Sequence, residues 1–126
     1  MDTKYDCQCG DDAKLIFPCS GSADVGEIAD HASRKLTRDG AGKMSCLAGI
    51  GGGVSGMIES AKGAFRVLVI DGCPIDCARK TMERAGITEF AHLRVTDQGM
   101  KKGQSPVTDE SVAIVSTLGA EMLGSR

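Results

Sequence analysis

Tryptophan is missing from this chain of 126 residues, which carries one tyrosine and three phenylalanines. So few aromatics exclude a surface on which bases stack. An excess of positive charge is missing too: 15 Lys and Arg stand against 17 Asp and Glu, a formal net charge of −2. That balance gives no electrostatic footprint for nucleic acid or an acidic membrane surface, so neither is expected as a partner. No run approaches the roughly 20 apolar residues that a membrane helix needs. The opening stretch MDTKYDCQCGDDAK is polar and acidic, without the apolar stretch of a secretory signal. A cytoplasmic location is the expectation. What the chain has in quantity is glycine, 17 residues, and cysteine, six. Reducing compartments disfavour structural disulfides, so six thiols in one small domain point to metal binding or redox work.

Hydrophobic periodicity divides the chain into alternating strands and helices. Residues 1–13 read as a flexible tail carrying Cys7 and Cys9, and residues 14–126 as one α/β domain. Lys14–Cys19 is a short apolar run and a first strand. Val25, Ile28, Ala29, Ala32 and Leu36 then recur at helical spacing, and Gly40 is a natural stop. Lys43–Ile50 reads as a second strand, followed by a helix with Val54, Met57, Ile58 and Ala61 inward. FRVLVIDG is the clearest strand, continuous in aliphatic residues as expected when both faces are covered. Proline suits the first helical position, so the next helix is expected to open at Pro74 with Cys73 as its cap, and Gly86 ends it. Glu89–Thr96 alternates like an edge strand. Thr108 is placed to cap a last helix whose Val112, Val115, Leu118 and Met122 share a face. The sum is a small parallel, Rossmann- or flavodoxin-like sheet of about four strands with helices on both faces.

In such sheets ligands sit beyond the carboxyl ends of the strands. Cys19, Cys46 and Cys73 each fall at or near the end of an expected strand, and Cys77 lies one turn further on. Four thiols from three segments are thereby directed to one pole, and helix N-termini there favour thiolate over thiol. Four thiolates together need a cation; zinc is the default for four cysteines, and an iron–sulfur cluster uses the same ligands. Other readings stay open. Cys46 alone could be strand packing, and Cys73 with Cys77 could be a redox or sulfur-transfer pair, with Cys73 as nucleophile.

Gly51, Gly53 and Gly56 fit G-x-G-x-x-G, and Asp71 lies 20 residues beyond Gly51, so a nucleotide-binding loop over Gly51–Gly56 is a further alternative. Glycines that let a helix start pack close to a strand end account for the same pattern. His92 falls on the polar side of the expected edge strand and His31 on a charged helix turn; both read as solvated. No Ser/His/Asp set and no paired carboxylates stand out, which favours a binding protein over an enzyme.

PCSGSADVGEIAD, KMSCLAGIGG, IDGCPIDCA and SPVTDE together resemble the DGC-domain proteins, small prokaryotic proteins described as zinc-binding and named for the Asp-Gly-Cys at Asp71–Cys73. The resemblance runs from about Lys14 into the last helix. It implies a zinc site whose ligands match Cys19, Cys46, Cys73 and Cys77. Asp71 is placed to cap or orient the start of the third helix, or to accept a hydrogen bond behind the ligands.

Overall fold

A computed structural model describes residues 12–124. Four strands, β1 (Lys14–Pro18), β2 (Lys43–Met44), β3 (Arg66–Asp71) and β4 (Ala91–Arg94), form one all-parallel sheet in the order β2-β1-β3-β4. Five helices connect and cover them: α1 (Asp24–Arg38), α2 (Leu47–Gly51), α3 (Ser55–Gly63), α4 (Cys77–Arg84) and α5 (Asp109–Leu123). The α/β sheet expected from the sequence is the one found. Its centre is the β1–β3 pair, in register from Lys14 opposite Arg66 to Pro18 opposite Ile70.

Side chains alternate across the sheet, and each face has its own core. Ile16, Leu68, Ile70 and Leu93 point to the side covered by α1 and α5, where Val25, Ile28, Ala29, Ala32 and Leu36 supply the buried stripe of α1. Leu15, Phe17, Val67 and Val69 point to the other side, against Ile50 of α2, Ala61 of α3 and Ala78 and Met82 of α4. A fully buried aliphatic or aromatic side chain contributes about 1.5–3 kcal/mol. Two such layers give the domain an apolar core on each face of the sheet.

Two helix starts show how local chemistry sets the boundaries. Thr108 caps α5 as expected, its hydroxyl accepting from the Ser111 amide while the Ser111 hydroxyl accepts from the Thr108 amide. The third expected helix starts later than its proline suggests. Pro74 lies in a turn closed by the Asp76 amide on the Cys73 carbonyl at 3.1 Å, so Cys73 is not the cap and Cys77 is the first helical residue. The second expected strand is also shorter, Lys43–Met44 alone. Beyond it Cys46 is extended and CLAGI turns into α2, which packs against α4.

Where β3 leaves the sheet, its backbone crosses the start of α1 at van der Waals limit. A Cβ on Gly72 would stand 2.8 Å from the Gly26 nitrogen and 2.8 Å from the Val25 carbonyl carbon. Both neighbours are backbone and cannot swing aside. Gly72→Ala is therefore expected to destabilise the domain by about 2 kcal/mol, the scale of overpacking, read as a lower urea midpoint. Gly56→Ala, in open space inside α3, is expected to stabilise by about 0.5 kcal/mol through helix propensity.

Candidate metal and thiol site at the carboxyl pole

The strand order reverses between β1 and β3, from which the chain leaves to opposite sides, so the crevice of this sheet opens beyond Pro18 and Asp71. Cys19 follows β1 directly, and its amide donates to the Ile70 carbonyl at 2.9 Å. Its sulfur accepts from the Gly72 amide at 3.4 Å. Burial pushes the Cys19 thiol above its usual range. The Gly21 and Gly72 amides pull it back, while the negative charges of Asp71 and Cys77 raise it further. Cys19 thus favours the neutral thiol.

The other three thiols surround this position without closing on it. Cys46 is exposed, caps α2 and lines the same cleft as Cys19. Cys73 is half-buried, and the Lys102 ammonium reaches its sulfur at 3.8 Å. Cys77 is exposed at the first position of α4. All four are free thiols. Among the described residues no three sulfurs lie within 4.8 Å of one another. Cys7 and Cys9 lie outside the described residues.

The group that does meet that distance is Asp71, Asp76 and His92. It has the donor types for a cation, but its oxygens are already engaged. The Ala78 amide donates to Asp71 Oδ1 at 2.7 Å, and the Arg79 amide to Asp71 Oδ2 at 3.0 Å. His92 Nε2 stands 2.8 Å from that same Oδ2. Asp76 takes the Arg94 guanidinium on both oxygens, at 2.9 and 2.6 Å. A cation there would have to displace a guanidinium and the cap of α4. His92 is therefore not the solvated histidine its strand suggested: its side chain is 18 % exposed, beneath the start of α4. The missed signal is register. Val69 pairs with His92 and Asp71 with Arg94, so in a parallel sheet all three polar side chains share one face.

Asp76 itself has φ 58°, a left-handed conformation that aspartate tolerates better than most residues. A third carboxylate ties down the lysine-bearing loop: Asp24 accepts from Gly103 at 2.8 Å and Ser105 at 2.9 Å. Those two amides hold the Asp24 carboxyl below its ordinary range.

The context required by the dinucleotide motif is not met. Gly51 ends α2 and Gly53, with φ 76°, turns the chain into α3, so the glycines join two helices and follow no strand. Asp71, the acid the motif would offer to ribose, is buried in the network above.

The DGC domain family model matches residues 15–117. The chain belongs to the DGC domain family. This DGC domain is also similar to the anaerobic and virulence modulator AnvM of Pseudomonas aeruginosa, 33% identical over 92 residues that span 73% of this chain and 70% of that protein. No solved structure matches the DGC domain chain. Among its described residues no helix is long and apolar enough to cross a membrane.

The Arg94–Asp76 pair makes stability depend on pH with a definite sign. Hydrogen bonds from Arg94 hold the Asp76 carboxyl below its ordinary range, against the opposing effect of burial. The associated stability is complete above the unfolded carboxylate value of about 4 and is lost as pH falls through the depressed folded value. Arg94→Gln leaves Asp76 facing only Arg79 and His92. It is expected to cost about 2 kcal/mol at pH 6, the scale of hydrogen bonds to a charged group. The deficit in urea midpoint should shrink towards pH 2.5.

Proposed function

We propose that this DGC domain binds zinc through Cys19, Cys46, Cys73 and Cys77, and that it serves metal or thiol homeostasis. The observation that carries the reading is the place of Cys19. It shares a cleft with Cys46, takes the amide of the residue next to Cys73, and lies close enough to Cys77 to feel its charge. Burial and neighbouring negative charge are what a cation relieves, and a coordinating thiol is deprotonated outright. The donor set suits zinc, because four thiolates match a tetrahedral, borderline-soft ion. Cys46 and Cys77 are exposed at helix starts, and the reading requires both side chains to turn inward.

Four protein ligands leave no open position for catalysis, and the domain already has an apolar core on each face of its sheet. That combination suits a carrier or sensor better than a catalyst or a folding staple. The name of AnvM speaks of modulating anaerobic behaviour and virulence; thiolate ligands, which oxidants can remove, suit a regulator of that kind. One observation favours a second reading. The Lys102 ammonium beside Cys73 also suits a nucleophilic Cys73 with Cys77 resolving, in a redox or sulfur-transfer protein.

Zinc content and thiol accessibility of the full chain separate the two. The chain has six cysteines, so the zinc reading expects about one ion per chain, two thiols reactive at once and the remainder only after chelation. Cys19→Ser should weaken zinc binding at least about tenfold. Absence of zinc, with a Cys73–Cys77 bond that forms reversibly under mild oxidant, would establish the thiol enzyme instead.

A further inference from the structure

The cleft that Cys19 and Cys46 share holds more than thiols. It encloses about 1160 Å³ between the carboxyl ends of β1 and β2, the second half of α1, and α2 with its neighbours. One wall is apolar and deformable: Pro18, Met44, Leu47 and Met57. Methionine side chains adapt to irregular partners, and two face this space. The opposite wall is the polar edge of α1, with Asp30, Arg34 and Arg38.

The charges on that edge do not cancel. Asp30 accepts from Arg34 Nε at 2.7 Å and from the Ser20 hydroxyl at 2.7 Å, so its carboxylate is committed. Those contacts hold the Asp30 carboxyl below its ordinary range against its burial. Arg34 gives Asp30 its Nε and keeps the outer edge of its guanidinium for other acceptors. Arg38 meets no carboxylate among the described residues. One net positive charge, presented on a forked donor, therefore faces an apolar wall across an open space. A concave, mostly apolar site with a few directed polar groups is the form small-molecule sites take.

We propose that this cleft binds a small organic carboxylate with an apolar body. Its anion meets Arg38 and the outer edge of Arg34, and its body lies on Met44, Leu47 and Met57. The occupant covers Cys19 and Cys46 and shields them from solutes, while Cys73, outside the cleft, stays accessible. A guanidinium matches a carboxylate with two parallel hydrogen bonds, which sets the charged end. The inference rests on the cleft alone and does not require zinc.

Octanoate, titrated calorimetrically into reduced, zinc-free full-length protein, tests it. Saturable binding to one site is expected, with octanol at least about tenfold weaker because it lacks the charge. Arg38→Gln should lose about tenfold, the scale of one charge-assisted hydrogen bond; Arg38 is exposed, and an unchanged urea midpoint would show the variant folded. Saturating octanoate should slow maleimide modification of Cys46 several-fold and leave the rate at Cys73 unchanged. No saturable heat, binding indifferent to Arg38→Gln, or Cys46 modified at full rate would each overturn the proposal. Because zinc is absent throughout, failure of the metal reading leaves this result readable.

Discussion

The buried carboxylate of Asp71 is the point on which the functional end of the molecule hangs. It is the last residue of the central strand β3, directed to the face where α4 lies. Both its oxygens accept amides from the first turn of that helix. This places the negative charge where the helix dipole favours it and satisfies donors that burial would otherwise leave unmet. The chain between is thereby forced into a tight loop from Gly72 to Asp76. Cys73 lies inside that loop and Cys77 immediately after it. Arg94 closes the far end through Asp76, and His92 braces Asp71 from the neighbouring strand. Two thiols are positioned by four polar side chains, Asp71, Asp76, His92 and Arg94, none of which is a cysteine.

The same carboxylate explains the electrostatic state of the first thiol. Asp71 and Cys77 both bring negative character towards Cys19, whose sulfur is already half out of water. A protein using Cys19 as a free nucleophile would be expected to arrange the opposite field, with cations or dipoles lowering the thiol. Here burial and the neighbouring negative charges raise the thiol, and the Gly21 and Gly72 amides oppose them. The Asp24 clamp on Gly103 and Ser105 holds the loop whose Lys102 ammonium lies 3.8 Å from the Cys73 sulfur.

Much of this was legible from residue pattern. The aliphatic run at Val67–Ile70 and the spaced apolar residues of α1 each had one good solution, because continuous hydrophobicity needs both sheet faces covered and a 3.6-residue stripe needs one. The placement of Cys19, Cys46, Cys73 and Cys77 at one end followed from parallel topology alone. Two things were hidden. Pro74 carries a local preference for the first helical turn, but Asp71 overrides it with a cap delivered from three residues upstream, and the helix waits until Cys77. His92 looked solvated because its strand alternates. Its neighbour on the same face turned out to be a buried aspartate, which only the β3–β4 register reveals. The Gly51–Gly56 pattern misled for a related reason: the motif has meaning only after a strand, and the short helix α2 intervenes.

The domain thus joins a two-layered apolar core to a pole of loops and helix starts that carries four free thiols. Its most direct test is cobalt(II) titration of the metal-free, reduced full-length protein, followed by absorption spectroscopy. Cobalt(II) adopts the coordination its ligands impose and reports thiolate bonding by charge-transfer absorption. Intense tetrahedral bands and strong sulfur-to-cobalt charge transfer are expected, saturating at one equivalent and both reduced in Cys19→Ser. Weak octahedral bands without charge transfer, or bands that Cys19→Ser leaves unchanged, would contradict a metal site centred on these cysteines.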